Sequence, residues 1–138
     1  MLLRLLLAWS VMALCVVIHA GSVALAVGWV RRHPVTGQRF WPWTWLLIRL
    51  AGWFIAIHLV EIAVWAGLYV WWNALHNWQA ALYFSAQTYT TTGYGDLLVP
   101  ADWRLVGGVE ALTGILMCGL STGFFFAVVS RMFNPEAK

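Results

Sequence analysis

Four side chains able to hold or pass a proton lie inside otherwise apolar stretches: His19, His58, Glu61 and Glu110. Ionisable groups are costly away from water, so each is a functional suspect that needs a partner. His58 and Glu61 stand three residues apart, on one face of any helix that contains them. Two ligands of the usual four make a weak metal signal. A hydrogen bond to an adjacent helix is the expected role. If Glu61 and Glu110 approach each other, one is expected to keep a proton near neutral pH, which makes Glu110, Glu61 and His58 candidate pH-sensing residues. The other stretch with chemical character is Thr90-Thr91-Thr92-Gly93-Tyr94-Gly95-Asp96, rich in hydroxyls and ending in a carboxylate. Gly93 and Gly95 can take up left-handed backbone without a Cβ penalty.

The elements that must position these residues read as membrane helices. Of 138 residues, 62% are hydrophobic, 9% are charged and 11 are Trp, far more apolar surface than a soluble domain of this size needs. The net charge of +3 is small and scattered, which argues against a nucleic-acid partner. Cys15 and Cys118 each sit in an apolar segment and suggest no disulfide framework. The first apolar run lies between Arg4 and Arg31-Arg32, about 40 Å of helix and long enough to span a bilayer. A cleaved signal peptide ending at Ile18-His19-Ala20 is the rival, disfavoured because apolar sequence continues to Val30. Its small residues Ala20, Gly21, Ser22 and Ala24 suit close packing, expected against the second run. That run extends over 44–72 with Trp clusters at both ends, as aromatic belts require. Asn77 is placed to cap a short helix over 78–90, too short to cross and therefore re-entrant. A third run covers 103–131.

Set between hydrophobic segments, the Thr90–Asp96 stretch resembles the T-x-G-Y-G-D selectivity filter of tetrameric potassium channels. The resemblance covers roughly residues 44–131 and implies an all-α membrane protein. It would have three transmembrane helices plus a re-entrant pore helix and filter loop, with four chains forming one pore. The expected organisation is an extra N-terminal helix over 1–34, a cytoplasmic connector over 35–43, and a pore domain over 44–131. Within the pore domain lie an outer helix (44–72), a pore helix (78–90), a filter (91–95) and an inner helix (103–131); a short tail follows over 132–138. In such filters, backbone carbonyls replace the hydration shell of K+. By the resemblance, K+ would bind at Thr91, Thr92, Gly93 and Tyr94, with Gly95 completing the loop. The Thr91 hydroxyl would line the innermost site, while Thr92 and Tyr94 point outward.

Many members of that family have two tryptophans where this chain has Tyr83 and Phe84, and several have glutamate where it has Gln87. Gln87 is expected to donate to Asp96 as a neutral brace, with Tyr83 and Phe84 as further support. The resemblance assigns Ile115, Cys118 or Gly119, Thr122 and Phe126 to the cavity face of the inner helix. Gly114 is either a hinge or a packing position, and Gly119 and Gly123 read as packing positions. No helix carries arginine at every third position, so no voltage sensor is expected. The tail is too short for a ligand-binding domain.

The expected function is passive K+ conduction by a homotetramer in a lipid bilayer, without covalent chemistry or a cofactor. The location implied is a prokaryotic inner membrane. Because the filter of such channels opens outward, the N-terminus is expected outside, with Arg31, Arg32, Arg39, Arg131 and Lys138 on the cytoplasmic side. The rivals are a pore-loop subunit of a K+ transporter and a non-conducting, channel-like interaction subunit.

Overall fold

A computed structural model describes residues 1–33 and 40–133. It contains helices α1 (Leu2–Arg32), α2 (Phe40–Trp71), α3 (Trp78–Tyr89) and α4 (Arg104–Phe133), with a 3₁₀ turn (Ala101–Trp103) leading into α4. The protein is all-α: no described residue is in a strand, and three of the helices are long and apolar enough to cross a membrane. Arg39, Lys138 and most of the expected connector and tail lie outside the described residues. α2 starts at Phe40, inside the expected connector. Pro42 does not stop it, because a nitrogen in the first helical turn needs no intrahelical acceptor.

The chain turns tightly between α2 and α3. Asn73 takes a left-handed conformation (φ 52°), and the N–H groups of Asn73 and Ala74 close onto the carbonyls of Val70 and Tyr69 at 3.0 and 2.8 Å. That is a Schellman ending, with Asn in the position glycine usually occupies. Asn77 then caps α3 by accepting from the Gln79 N–H at 2.9 Å.

One end of the bundle gathers the start of α1, the end of α2 and the start of α4. There the Arg4 guanidinium pairs with Asp102 and lies 5.2 Å over the Trp103 ring, which neighbours Trp72. α1 packs against both α2 and α4. Its buried residues, Ala8, Cys15, His19, Ser22 and Ala26, recur at helical spacing as one narrow stripe. Of the small residues expected to make this contact, only Ser22 is buried; Ala20, Gly21 and Ala24 face outward. The correction follows from the stripe, which must sit in the groove between two helices rather than on one.

The core has two apolar layers. Cys15, Ile62, Trp65, Tyr69, Phe84, Tyr89, Trp103 and Met117 belong to one, and Ala26, Leu46, Leu50, Phe54 and Val128 to the other. His19, Glu61 and Ser121 are buried on α1, α2 and α4 between them.

Candidate functional site

The loop after α3 alternates in hand. Thr91, Gly93 and Gly95 have φ of 58°, 56° and 76°, whereas Thr92 and Tyr94 keep negative φ. Alternation of this kind brings successive N–H groups to one side of the chain and successive carbonyls to the other. Glycine adopts the left-handed state freely, but for threonine it costs about 1–3 kcal/mol, so the surroundings must hold Thr91 there. They do so through hydrogen bonds. The Thr91 N–H donates to the Thr88 carbonyl at 3.0 Å and the Thr90 N–H to Ala86 at 3.1 Å. Thr90 Oγ1 donates to the Ala86 carbonyl at 2.6 Å and meets Thr92 Oγ1 at 2.9 Å.

Gln87 is the hub behind the loop. Its backbone carbonyl accepts from the Gly93 N–H at 3.1 Å, and its Oε1 accepts from the Tyr94 N–H at 2.9 Å. Its Nε2 donates to Asp96 Oδ1 at 3.4 Å. One neutral amide thus serves a donor and an acceptor together, and the N–H groups of Thr91, Gly93 and Tyr94 are consumed on the α3 side. Tyr83 donates its hydroxyl to Asp96 Oδ2 at 2.8 Å. That bond, helped by the Gln87 amide and local backbone N–H groups, holds the Asp96 carboxyl below its ordinary range. Phe84 is buried edge-on to Tyr69, centroids 5.2 Å apart, and anchors α3 to α2. Tyr94 projects away from its own chain and is 72% exposed.

At the base of the loop, α4 comes very close to α3. A Cβ on Gly114 would collide with the Tyr89 carbonyl oxygen and stand 2.8 Å from the carbonyl carbon. Gly114 is therefore a close-approach position.

The sequence profile of a family described as an ion channel matches residues 55–131, more than half of the chain. The chain belongs to that family. No curated protein and no solved structure matches it.

In this ion channel, Ile115, Cys118, Gly119, Thr122 and Phe126 are all exposed along one side of α4 in the single chain. Phe126 is 73% exposed, whereas Phe124 and Phe125 lie against Phe54, with centroids 5.3 and 5.8 Å away. Gly119 and Gly123 pack against nothing in their own chain, since a Cβ at either would meet no atom within 4 Å.

Among the described residues, the two buried carboxyls belong to separate networks. Glu110 accepts from the Tyr69 hydroxyl at 2.7 Å. Glu61 meets His19 Nδ1 at 3.0 Å and accepts from the Tyr89 hydroxyl. His58 Nδ1, on the same helix, is farther from Glu61 at 3.5 Å. It bonds the Tyr89 hydroxyl at 3.0 Å, and its Nε2 meets Ser121 Oγ at 3.1 Å. Ser121 Oγ also meets His19 Nε2 at 3.1 Å. His19, His58 and Glu61 come within 4.8 Å of one another. Bonds of about 2.0–2.2 Å at the tetrahedral angles of a zinc site would hold such atoms about 3.3–3.6 Å apart, farther than the 3.0 Å between His19 and Glu61. Every ring nitrogen and carboxylate oxygen of the three already has a hydrogen-bonding partner. Sequence reasoning missed Ser121 altogether and gave His19 no partner. The usable signal was the α1 stripe, which puts His19 on the only face that reaches other helices.

Proposed function

We propose that the protein is a potassium-selective channel in which four copies of the chain place residues 91–95 around one axis. Dehydrated K+ ions then pass in single file, driven only by their gradient. The left-handed backbone at Thr91, Gly93 and Gly95 carries this reading. With the N–H groups of Gly93 and Tyr94 bound to Gln87, the carbonyls of Thr91, Thr92, Gly93 and Tyr94 are free to face the axis and replace ion hydration.

Two further observations support four-fold assembly and orientation. Gly114, which meets the end of α3, lies ten residues into α4, about 15 Å along it and near the middle of a bilayer. Residues 91–96 are exposed in the single chain. Irregular backbone at that depth cannot face lipid, so it must be covered by other copies or line a water-filled path. The end opposite Arg4 and Asp102 carries Arg31, Arg32 and Arg131, which the positive-inside rule puts in the cytoplasm with the N-terminus outside. The test is a reversal potential on purified protein in liposomes, with K+ on one side and Na+ on the other. We expect a potential close to the K+ equilibrium value, lost on Gly95→Ala because a side chain is forced into left-handed backbone. Equal permeability to both ions, or full selectivity in the Gly95→Ala protein, refutes the reading.

A further inference from the structure

The polar layer between the two apolar cores is a closed ring joining all four helices. Glu61 Oε1 meets His19 Nδ1, His19 Nε2 meets Ser121, Ser121 meets His58 Nε2, His58 Nδ1 meets Tyr89, and Tyr89 returns to Glu61 Oε2. Each of these five contacts needs one hydrogen between its two heavy atoms. With Glu61 as a carboxylate, the ring owns four: one on each neutral imidazole, one on Ser121 and one on Tyr89. It is one proton short. Without a fifth, two lone pairs face each other at one contact, and the ring carries a net negative charge in the membrane interior, where His19 and Glu61 are wholly buried.

We infer that the ring is a binding site for one exchangeable proton and that, when filled, it clamps α1, α2 and α4 to the end of the pore helix. The Tyr89 hydroxyl donates to Glu61, which sets one direction around the circuit. His58 Nδ1 donates to Tyr89, Ser121 to His58 Nε2 and His19 Nε2 to Ser121. The fifth proton closes the gap between Glu61 and His19. It belongs to the ring rather than to one residue, and filling the site makes the whole ring neutral. The clamp bears on conduction because Tyr89 is the last residue of α3, and its carbonyl packs on Gly114 two residues before the left-handed Thr91. The other titratable groups acting on the ring are Cys15 from α1 and Cys118 from α4, with Glu110 acting on Cys15.

The count makes Glu61→Gln the decisive variant. A Gln amide donates from Nε2 to His19 and accepts at Oε1 from Tyr89, so it completes the ring with a hydrogen that cannot leave. Ser121→Ala opens the ring. The experiment uses the full chain, with Cys15→Ala and Cys118→Ala as background, and follows thermal unfolding in detergent and K+ flux in liposomes from about pH 7 to about pH 9, where free imidazoles are neutral and free carboxyls ionised.

While the folded ring holds a proton that the unfolded chain has lost, the protein with Glu61 is expected to lose up to tenfold in its folding equilibrium per pH unit. Its flux falls in parallel. Glu61→Gln is expected to match it at pH 7 and to lose this slope in both readouts, while Glu110→Gln keeps it and Ser121→Ala is unstable throughout. An unchanged slope in Glu61→Gln, or a Glu61→Gln protein that folds but melts far below its parent at pH 7, overturns the inference. So does stoichiometric Co²⁺ binding that His19→Asn abolishes, which would make the cluster a metal centre. The effect on flux rests on the channel reading above, whereas the melting slope does not. A melting slope removed by Glu61→Gln in a protein that never conducts would uphold the ring and refute the channel.

Discussion

Replacing Gly114 by alanine tests whether the contact between α4 and the end of α3 shapes the ion path. The added methyl would overlap the Tyr89 carbonyl oxygen, with the carbonyl carbon at 2.8 Å and Tyr89 Cδ1 at 3.1 Å. Carbon atoms in contact prefer about 3.5–4.0 Å and the carbonyl oxygen stands nearer still, so α4 or the end of α3 must retreat by more than about 1 Å. Overpacking of that kind costs about 1–3 kcal/mol, and the better helix propensity of alanine returns about 1 kcal/mol. The net cost, about 0–2 kcal/mol, lowers the melting temperature by at most about 8 °C in a chain of this size. The protein therefore still folds. The retreat is passed on to Thr91, whose left-handed state depends on hydrogen bonds to the last turn of α3. A distortion of about 1.4 kcal/mol at the first ion site changes ion transfer tenfold, so roughly that loss of single-channel current is expected. Single-channel recording separates this from a hinge, whose loss alters open probability and leaves the current amplitude intact. Wild-type amplitude and selectivity in Gly114→Ala would refute the argument.

Two further predictions concern the brace behind the loop. The Tyr83 hydroxyl holds the Asp96 carboxyl below its ordinary range, so the ionised brace persists above that range and is lost as pH falls through the lowered value. Tyr83→Phe is expected to shift acid loss of flux to higher pH, and an unmoved acid midpoint between about pH 6 and about pH 3 counts against it. Gln87→Glu keeps the acceptor for the Tyr94 N–H but sets a second carboxyl against Asp96. That pair needs a shared proton, so flux should fall more steeply with rising pH than in the parent, and a profile identical to the parent's in Gln87→Glu refutes the brace.

Much of this was legible in the chain because it is local. Apolar run lengths give the three long helices, Asn77 gives the start of α3, and Gly93 and Gly95 mark left-handed backbone. The Gln87 donation to Asp96 was expected only through the resemblance of the Thr90–Asp96 stretch to potassium-channel filters, and the structure makes it at 3.4 Å. Thr91 was legible only in part: its left-handed state continues the period of two set by the glycines, but a β-branched residue conceals it. The ring was not legible, since its bonds run between helices far apart in sequence and depend on which face of α1 enters the groove. Spacing puts His58 and Glu61 on one face and points them to an adjacent helix, but it does not say which helix, nor whether Glu61 reaches Glu110. Packing gives Glu61 to His19 and Tyr89, and Glu110 to Tyr69.

The order in which the ring's members are synthesised sets a problem for the ribosome. His19 emerges first, 42 residues ahead of Glu61 and 102 ahead of Ser121. At roughly 5–20 residues per second, α1 waits about 2–8 s for its carboxyl partner and about 5–20 s for the serine. Throughout that interval its imidazole has no protein partner from the later helices, and lipid offers none. α1 must therefore linger beside water or the insertion machinery until α2 arrives. Slowing translation between residues 32 and 61 should lengthen that exposure and increase degradation of the nascent chain, and His19→Phe should remove the sensitivity.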